Sequence, residues 1–148
     1  MRELTATYSV YDAKDKILGR FASAVARELI AGKSIAVINA DRAVLIGDKR
    51  VITKRYFTRL NFQEKQNPEH SPYWSRRSDM LVKRAIRGML PYEKATGRSA
   101  YRRLLVFTGV PEQLAKSKPI EIKEKDLNTI YMPHMTIKEL SLALGYSR

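Results

Sequence analysis

A chain of 148 residues with 44% hydrophobic content and no cysteine fits one domain of ordinary size, with apolar side chains enough for a core and no route to disulfides or thiolate metal sites. No apolar run approaches the roughly 18 residues that span a bilayer, the N-terminus lacks the apolar stretch of a signal peptide, and the composition suits the cytoplasm. Twenty-eight basic against fifteen acidic residues leave a formal charge of +13, which points to a polyanionic partner.

The first expected strand covers residues 7–11 and is closed by Asp12. A helix follows over about 16–31, with Leu18, Phe21, Ala22, Val25 and Leu29 on one apolar stripe and Arg20 and Arg27 opposite; Gly32 ends it. Residues 35–38 (IAVI) form a continuous apolar run, as in a strand buried on both faces. Strand, helix and strand with short links make a βαβ unit with parallel strands and a right-handed crossover. A turn at 39–42 leads to a short extended piece at 43–46, and a basic helix is expected over about 49–60.

Residues 61–75 (NFQEKQNPEHSPYWS) break all periodicity, and a loop of this length in a small domain is usually functional or ordered by a partner. Tyr73 and Trp74 stand just before Arg76 and Arg77, an adjacency suited to stacking on bases or riboses; packing against the domain is the plainer alternative. Ser78 or Asp79 can cap the next helix, which runs to about Met89 and stops before Pro91. Val82, Ala85, Ile86 and Met89 are its expected buried stripe, with Arg76, Lys83, Arg84 and Arg87 on the other side. Gly88 leaves room there for close approach of backbone or phosphate. Gly97 then precedes a short helix bearing Arg98, Arg102 and Arg103, and residues 104–107 (LLVF) make a last core strand. Thr136 and Glu139 form a capping-box pattern for a final helix over about 136–144, closed by Gly145.

The charge is uneven along this sequence. Residues 54–103 carry thirteen basic against four acidic side chains, a net of +9, whereas residues 1–53 and 104–148 carry +3 and +1. Arginine outnumbers lysine nine to four in the basic third, which favours bidentate phosphate contacts over point-charge attraction. Such a concentration reads as an electrostatic footprint, with solvated helix faces as the alternative. No helix-turn-helix, zinc-finger or RNA-recognition pattern accompanies it, so shape-based binding of folded RNA fits better than groove readout of DNA.

Catalytic patterns do not assemble. Gly32-Lys33-Ser34 resembles the end of a P-loop, but position 27 is Arg where that motif needs Gly, and the triplet closes a helix instead of opening one. Asp12 and Asp41 sit near strand ends and suit turn formation; Ser71, Ser75 and Ser99 have no motif. With only His70 and His134 as imidazoles, no metal or cofactor is expected, and no enzyme activity.

The segments IRGMLPYEKATGR and RRLLVFTGVP, with YDAKDKILGRFASAVARELIAGK and VINADRAVLIGDKRVITKRY before them, resemble the L-thirteen family of large-subunit ribosomal proteins over about residues 7–111. The Asn-Pro loop, the RRSDML run and the tail after Pro111 are similar to its archaeal and eukaryotic branch, and the lack of long extensions tilts the source towards archaea. The resemblance implies a three-layer α/β/α fold around a small, mostly parallel four-stranded sheet. It also implies a non-enzymatic role in the cytoplasmic ribosome: binding large-subunit ribosomal RNA beside neighbouring ribosomal proteins and supporting assembly and translation. An off-ribosome regulatory RNA-binding protein is the alternative. Phe21 stands where the family more often has Leu.

By matched position Arg84, Arg87, Gly88, Gly97, Arg98, Arg102 and Arg103 fall in the family's basic signature block. Charge and place beside the loop add Lys54, Arg55, Arg59, Arg76, Arg77 and Lys83 as expected RNA contacts, with Tyr73 and Trp74 as stacking candidates. The whole is expected to form one domain, 1–148, with a core over about 7–111, a C-terminal extension over about 112–148, and a basic face of helices and loop. No membrane or DNA partner is expected.

Overall fold

In the computed structural model, residues 8–115, 117–120, 122 and 132–146 are described. Strands β1 (Tyr8–Asp12), β2 (Ser34–Ile38) and β4 (Leu104–Val106) form a parallel sheet in the order β1-β2-β4. Its alternation divides the apolar side chains by face. Tyr11, Ile35, Val37 and Leu104 join the main core, whereas Val10, Ala36, Ile38 and the half-buried Leu105 and Phe107 form a smaller cluster behind it. The expected burial of β2 on both faces is observed.

Helix α1 (Leu18–Ile30) crosses from β1 to β2 and buries Leu18, Phe21, Ala22, Val25, Ala26 and Leu29. Gly32, at φ +99°, ends it, and its amide returns to Leu29 O at 3.1 Å. The geometry at Gly32-Lys33-Ser34 is therefore a helix stop leading into β2, with the Lys33 ammonium paired to Glu28. Asp12 does turn-forming work: its Oδ1 accepts from the Lys14 amide and from Asn39 Nδ2, both at 2.9 Å.

Several expectations need correction. Among the described residues the parallel sheet has three strands, not four. The 3-10 turn Ala40–Arg42 carries the chain off the sheet, and β3 (Val44–Ile46) pairs antiparallel with β5 (His134–Thr136), a strand the sequence pattern had not indicated. The three-layer arrangement is also reduced. The smaller cluster is covered by Leu114 of the 3-10 turn Glu112–Leu114, and among the described residues no α-helix contributes to it.

Helix α2 occupies Lys49–Leu60, capped by the Asp48 side chain accepting from the Arg50 amide at 2.9 Å. Helix α3 (Ser78–Gly88) has Arg77 at its N-cap, without a side-chain cap bond, in place of the expected Ser78 or Asp79; Ser78 is buried and the Asp79 carboxylate is taken by the Arg77 guanidinium. The helix stops at Gly88, which turns Met89 outward to 42% exposure and sends Leu90 into the core instead, beside Leu81, Val82 and Ile86.

Helix α4 (Ala95–Arg102) starts before Gly97, not after it. A Cβ at Gly97 would stand 2.1 Å from the Pro91 carbonyl oxygen, so the glycine is where α4 presses onto the turn leaving α3. Helix α5 (Ile137–Ala143) has the expected capping box: Thr136 Oγ1 accepts from the Glu139 amide, and the Glu139 carboxylate accepts from the Thr136 amide. Ile137, Leu140 and Leu144 enter the same apolar cluster as α1 and α3. No helix among the described residues is long and apolar enough to cross a membrane.

Candidate nucleic-acid interface

Helix α3 separates its two faces by sequence spacing. Leu81, Val82 and Ile86 face the core, and Lys83, Arg84 and Arg87 occupy the positions between and opposite them. Each of these cations rests on an aromatic ring. The Arg84 guanidinium carbon lies 3.5 Å from the centroid of Trp74, Lys83 Nζ 5.1 Å from that of Tyr101, and the Arg87 guanidinium carbon 4.8 Å from that of Tyr92. Tyr92 and Tyr101 meet edge to face at 5.5 Å, so the supports of Lys83 and Arg87 are packed on each other.

The stack extends into α2. Arg59 lies 5.2 Å from the Trp74 centroid and 5.3 Å from that of Tyr56, one turn before it on the same helix. Trp74 therefore joins arginines from two helices to the end of the long loop. Arg84 Nη1 also donates to the Tyr73 carbonyl at 2.9 Å, fixing the backbone where the loop returns to α3. Cation–π contacts of this kind contribute about 0.5–1 kcal/mol each at exposed sites, and they restrict the arginine rotamers before any partner arrives.

Burial pushes the Arg84 guanidinium below its ordinary pKa, and the positive charges of Arg87 and Arg59 push the same way. Among the described residues these like charges are held together without an acid between them, an arrangement that an incoming anion relieves. Tyr101 is pushed up, chiefly by burial, and stays a neutral support. The loop has bonds of its own: Pro68–His70 form a 3-10 turn, Asn67 Oδ1 accepts from the Glu69 amide at 3.2 Å, and Ser71 Oγ accepts from the Glu64 amide at 2.9 Å.

Of the residues expected to act together, Arg59, Trp74, Lys83, Arg84 and Arg87 converge, with Tyr73 at their edge. Lys54 and Arg55 are exposed on α2, and Arg102 is exposed at the end of α4. Arg98 is exposed and donates to the Glu93 carbonyl at 3.2 Å. Gly88 has open space where a Cβ would point, leaving a backbone surface accessible beside Arg87.

Others are engaged elsewhere. Arg103 Nη2 donates to the Leu29 carbonyl at 2.8 Å, where it satisfies an end carbonyl of α1 and complements the helix dipole. Arg77 is paired with Asp79 through Nε at 3.1 Å and Nη2 at 2.7 Å, which raises its pKa. Arg76 turns towards Gly145, and its carbonyl accepts from Ser141 Oγ at 2.6 Å. Tyr92 and Tyr101 carry no sequence signal of this role, and Tyr56 reads from the sequence only as a helix residue near Arg59. The three-residue spacing of Tyr56 and Arg59 is a local signal for Tyr56; Tyr101 meets Lys83 only through the tertiary fold.

The fold is thus a small basic α/β domain in which Arg59, Lys83, Arg84 and Arg87 rest on aromatic rings and the end of the long loop stacks into the same cluster. Residues 6–113 match the family described as ribosomal protein L13. The chain is 37% identical over 148 residues to the large ribosomal subunit protein uL13 of Archaeoglobus fulgidus, covering 99% of this chain and 93% of that protein. It is 39% identical over 138 residues to the protein of the same name from Methanocaldococcus jannaschii, and 38% over 139 residues to that from Methanosarcina barkeri; each alignment covers 93% of this chain and 97% of the relative. The chain belongs to the ribosomal protein L13 family.

Proposed function

We propose that the chain is a structural constituent of the large ribosomal subunit that binds ribosomal RNA and supports subunit assembly and translation. Membership of the L13 family carries the ribosomal part of this reading. The observation that carries the interface is the Arg59–Trp74–Arg84 stack, which ties α2, the loop and α3 into one cationic surface. On this reading the contacts are Lys54, Arg55, Arg59, Lys83, Arg84, Arg87, Arg98 and Arg102, with the open backbone at Gly88. Arg103 supports α1, and Arg76 and Arg77 border α5.

The chemistry is phosphate neutralisation without catalysis. Guanidinium groups held by rings and carbonyls lose less rotamer freedom when they engage phosphates, so a preordered cluster binds more tightly than the same charges on free side chains. It would stand where RNA helices converge and their phosphates repel, beside neighbouring ribosomal proteins in the cytoplasmic ribosome. An off-ribosome role for the same surface has no separate observation in its favour.

Sedimentation of the tagged protein from a cell lysate tests the reading. Stoichiometric migration with the large subunit that survives a moderate salt wash is expected. Migration at the top of the gradient, or association stripped by modest salt, would overturn it.

A further inference from the structure

Adjacent aromatic residues in the loop have opposite environments. Trp74 is half-buried with a guanidinium 3.5 Å from its ring centre, so Arg84 occupies a face that a base would need. Tyr73 is 87% exposed, whereas the other exposed large apolar side chains among the described residues reach at most 57%. Its backbone is nevertheless held: Pro72 restricts the chain before it, and Arg84 binds its carbonyl at 2.9 Å. A planar ring is thus presented to solvent from a fixed point, next to a cluster of arginines.

We propose that Tyr73 is a stacking platform for one unpaired base of the bound RNA, while Trp74 positions Arg59 and Arg84 for the adjoining phosphates and touches no base. The inference rests on the RNA-binding reading above and assigns different roles to neighbouring residues within it. An unpaired nucleotide fits both parts, since it offers a base face to the phenol ring and a phosphate to the guanidinium cluster. A continuous duplex offers the phosphates but keeps its base faces stacked internally. Arg84 is held below its ordinary pKa first by burial and then by the charges of Arg87 and Arg59, and a phosphate would relieve the second of these.

The test compares the full-length protein on a hairpin RNA carrying 2-aminopurine in a one-base bulge with the same hairpin fully paired. Wild-type protein is expected to quench the 2-aminopurine on binding and to prefer the bulged hairpin. Tyr73→Ala should lose about tenfold in affinity for the bulged RNA, the order expected for one base stack, and nothing for the paired one. Tyr73→Phe should bind both as wild type does. Trp74→Leu, which removes the ring shared by both arginines, should weaken both RNAs alike. Equal loss on both hairpins for Tyr73→Ala would overturn the assignment by making the ring part of the general surface. No loss on either would also overturn it and would point to a protein contact. Failure of the wild type to bind either hairpin would bring down the RNA-binding reading itself.

Discussion

Helices α1 and α2 are nearly equal in length, at 13 and 12 residues, and have opposite relations to the core. Six residues of α1 are buried, and none of α2 is. Ile52, Tyr56 and Leu60, four residues apart, only rest half-buried against the main cluster, while Lys49, Arg50, Lys54, Arg55 and Arg59 occupy much of what remains. The first helix is held by burial of apolar area. The second is held by a cap at Asp48, a partial stripe and contacts at its ends, which leaves most of its surface available to a partner. The width of the apolar stripe thus separates α1 from α2, and α3 combines the two roles, with Leu81, Val82 and Ile86 in the core and Lys83, Arg84 and Arg87 on its other side.

The largest expected effect comes from removing the same side chain from each helix. Phe21 is 1% exposed, and Phe21→Ala should cost about 3–5 kcal/mol in urea unfolding, because the cavity at the centre of the α1 face cannot collapse fully. Phe57, on α2, is 46% exposed, and Phe57→Ala should change stability by about 0.5 kcal/mol or less. Comparable losses at the two sites would mean that α2 is as deeply anchored as α1, and the contrast would fail.

A smaller and more selective effect is expected from charge reversal on α2. Lys54 and Arg55 are exposed, so the double variant Lys54→Glu, Arg55→Glu should unfold at nearly the wild-type denaturant concentration. Its RNA affinity should fall, and the slope of log affinity against log salt should become shallower by about two, one for each phosphate that is no longer neutralised. An unchanged slope would remove α2 from the interface and leave RNA binding to α3, α4 and the loop.

The elements of this comparison differ in how well the sequence reveals them. The α1 stripe and the β2 run are local patterns, and the helix boundaries expected from them lie within two residues of those observed. The capping box at Thr136 is likewise written in adjacent residues. What failed was long-range or depended on close contact. β5 has three residues and pairs with β3 across some ninety positions, so no periodicity marks it. Gly97 looked like a helix boundary because glycine usually breaks helices, yet it lies inside α4 where only a hydrogen fits against Pro91. The charge density of residues 54–103 is legible in the sequence, but which arginines converge depends on Trp74, Tyr92 and Tyr101, placed by tertiary packing. Arg103 stands in the basic block by position, and only the structure shows that its Nη2 also donates to the Leu29 carbonyl at the end of α1.

The finest test of α2's light anchoring is its link to α5. The Glu139 carboxylate accepts from Lys49 Nζ at 3.2 and 3.1 Å and from the Thr136 amide at 3.3 Å, so one side chain completes the capping box and holds the first turn of α2. The Lys49 hydrogen bond, ahead of the smaller contributions from the Thr136 amide, the Lys49 charge and His134, keeps this carboxyl below its ordinary pKa against the opposing effect of burial. A carboxylate whose folded pKa is depressed stabilises the fold above its unfolded value of about 4.3, and the contribution is lost as pH falls through the folded value. Both partners are largely exposed, so solvent screening holds the effect below about 1 kcal/mol. The stability gap between wild type and Glu139→Gln should therefore be small and steady near neutral pH and should close as the pH drops below about 4. Amide exchange over the same range should quicken at the start of α2 before it changes in α1. A gap that stays constant down to pH 3, or exchange that rises equally in both helices, would show that the Lys49–Glu139 contact does not tether α2.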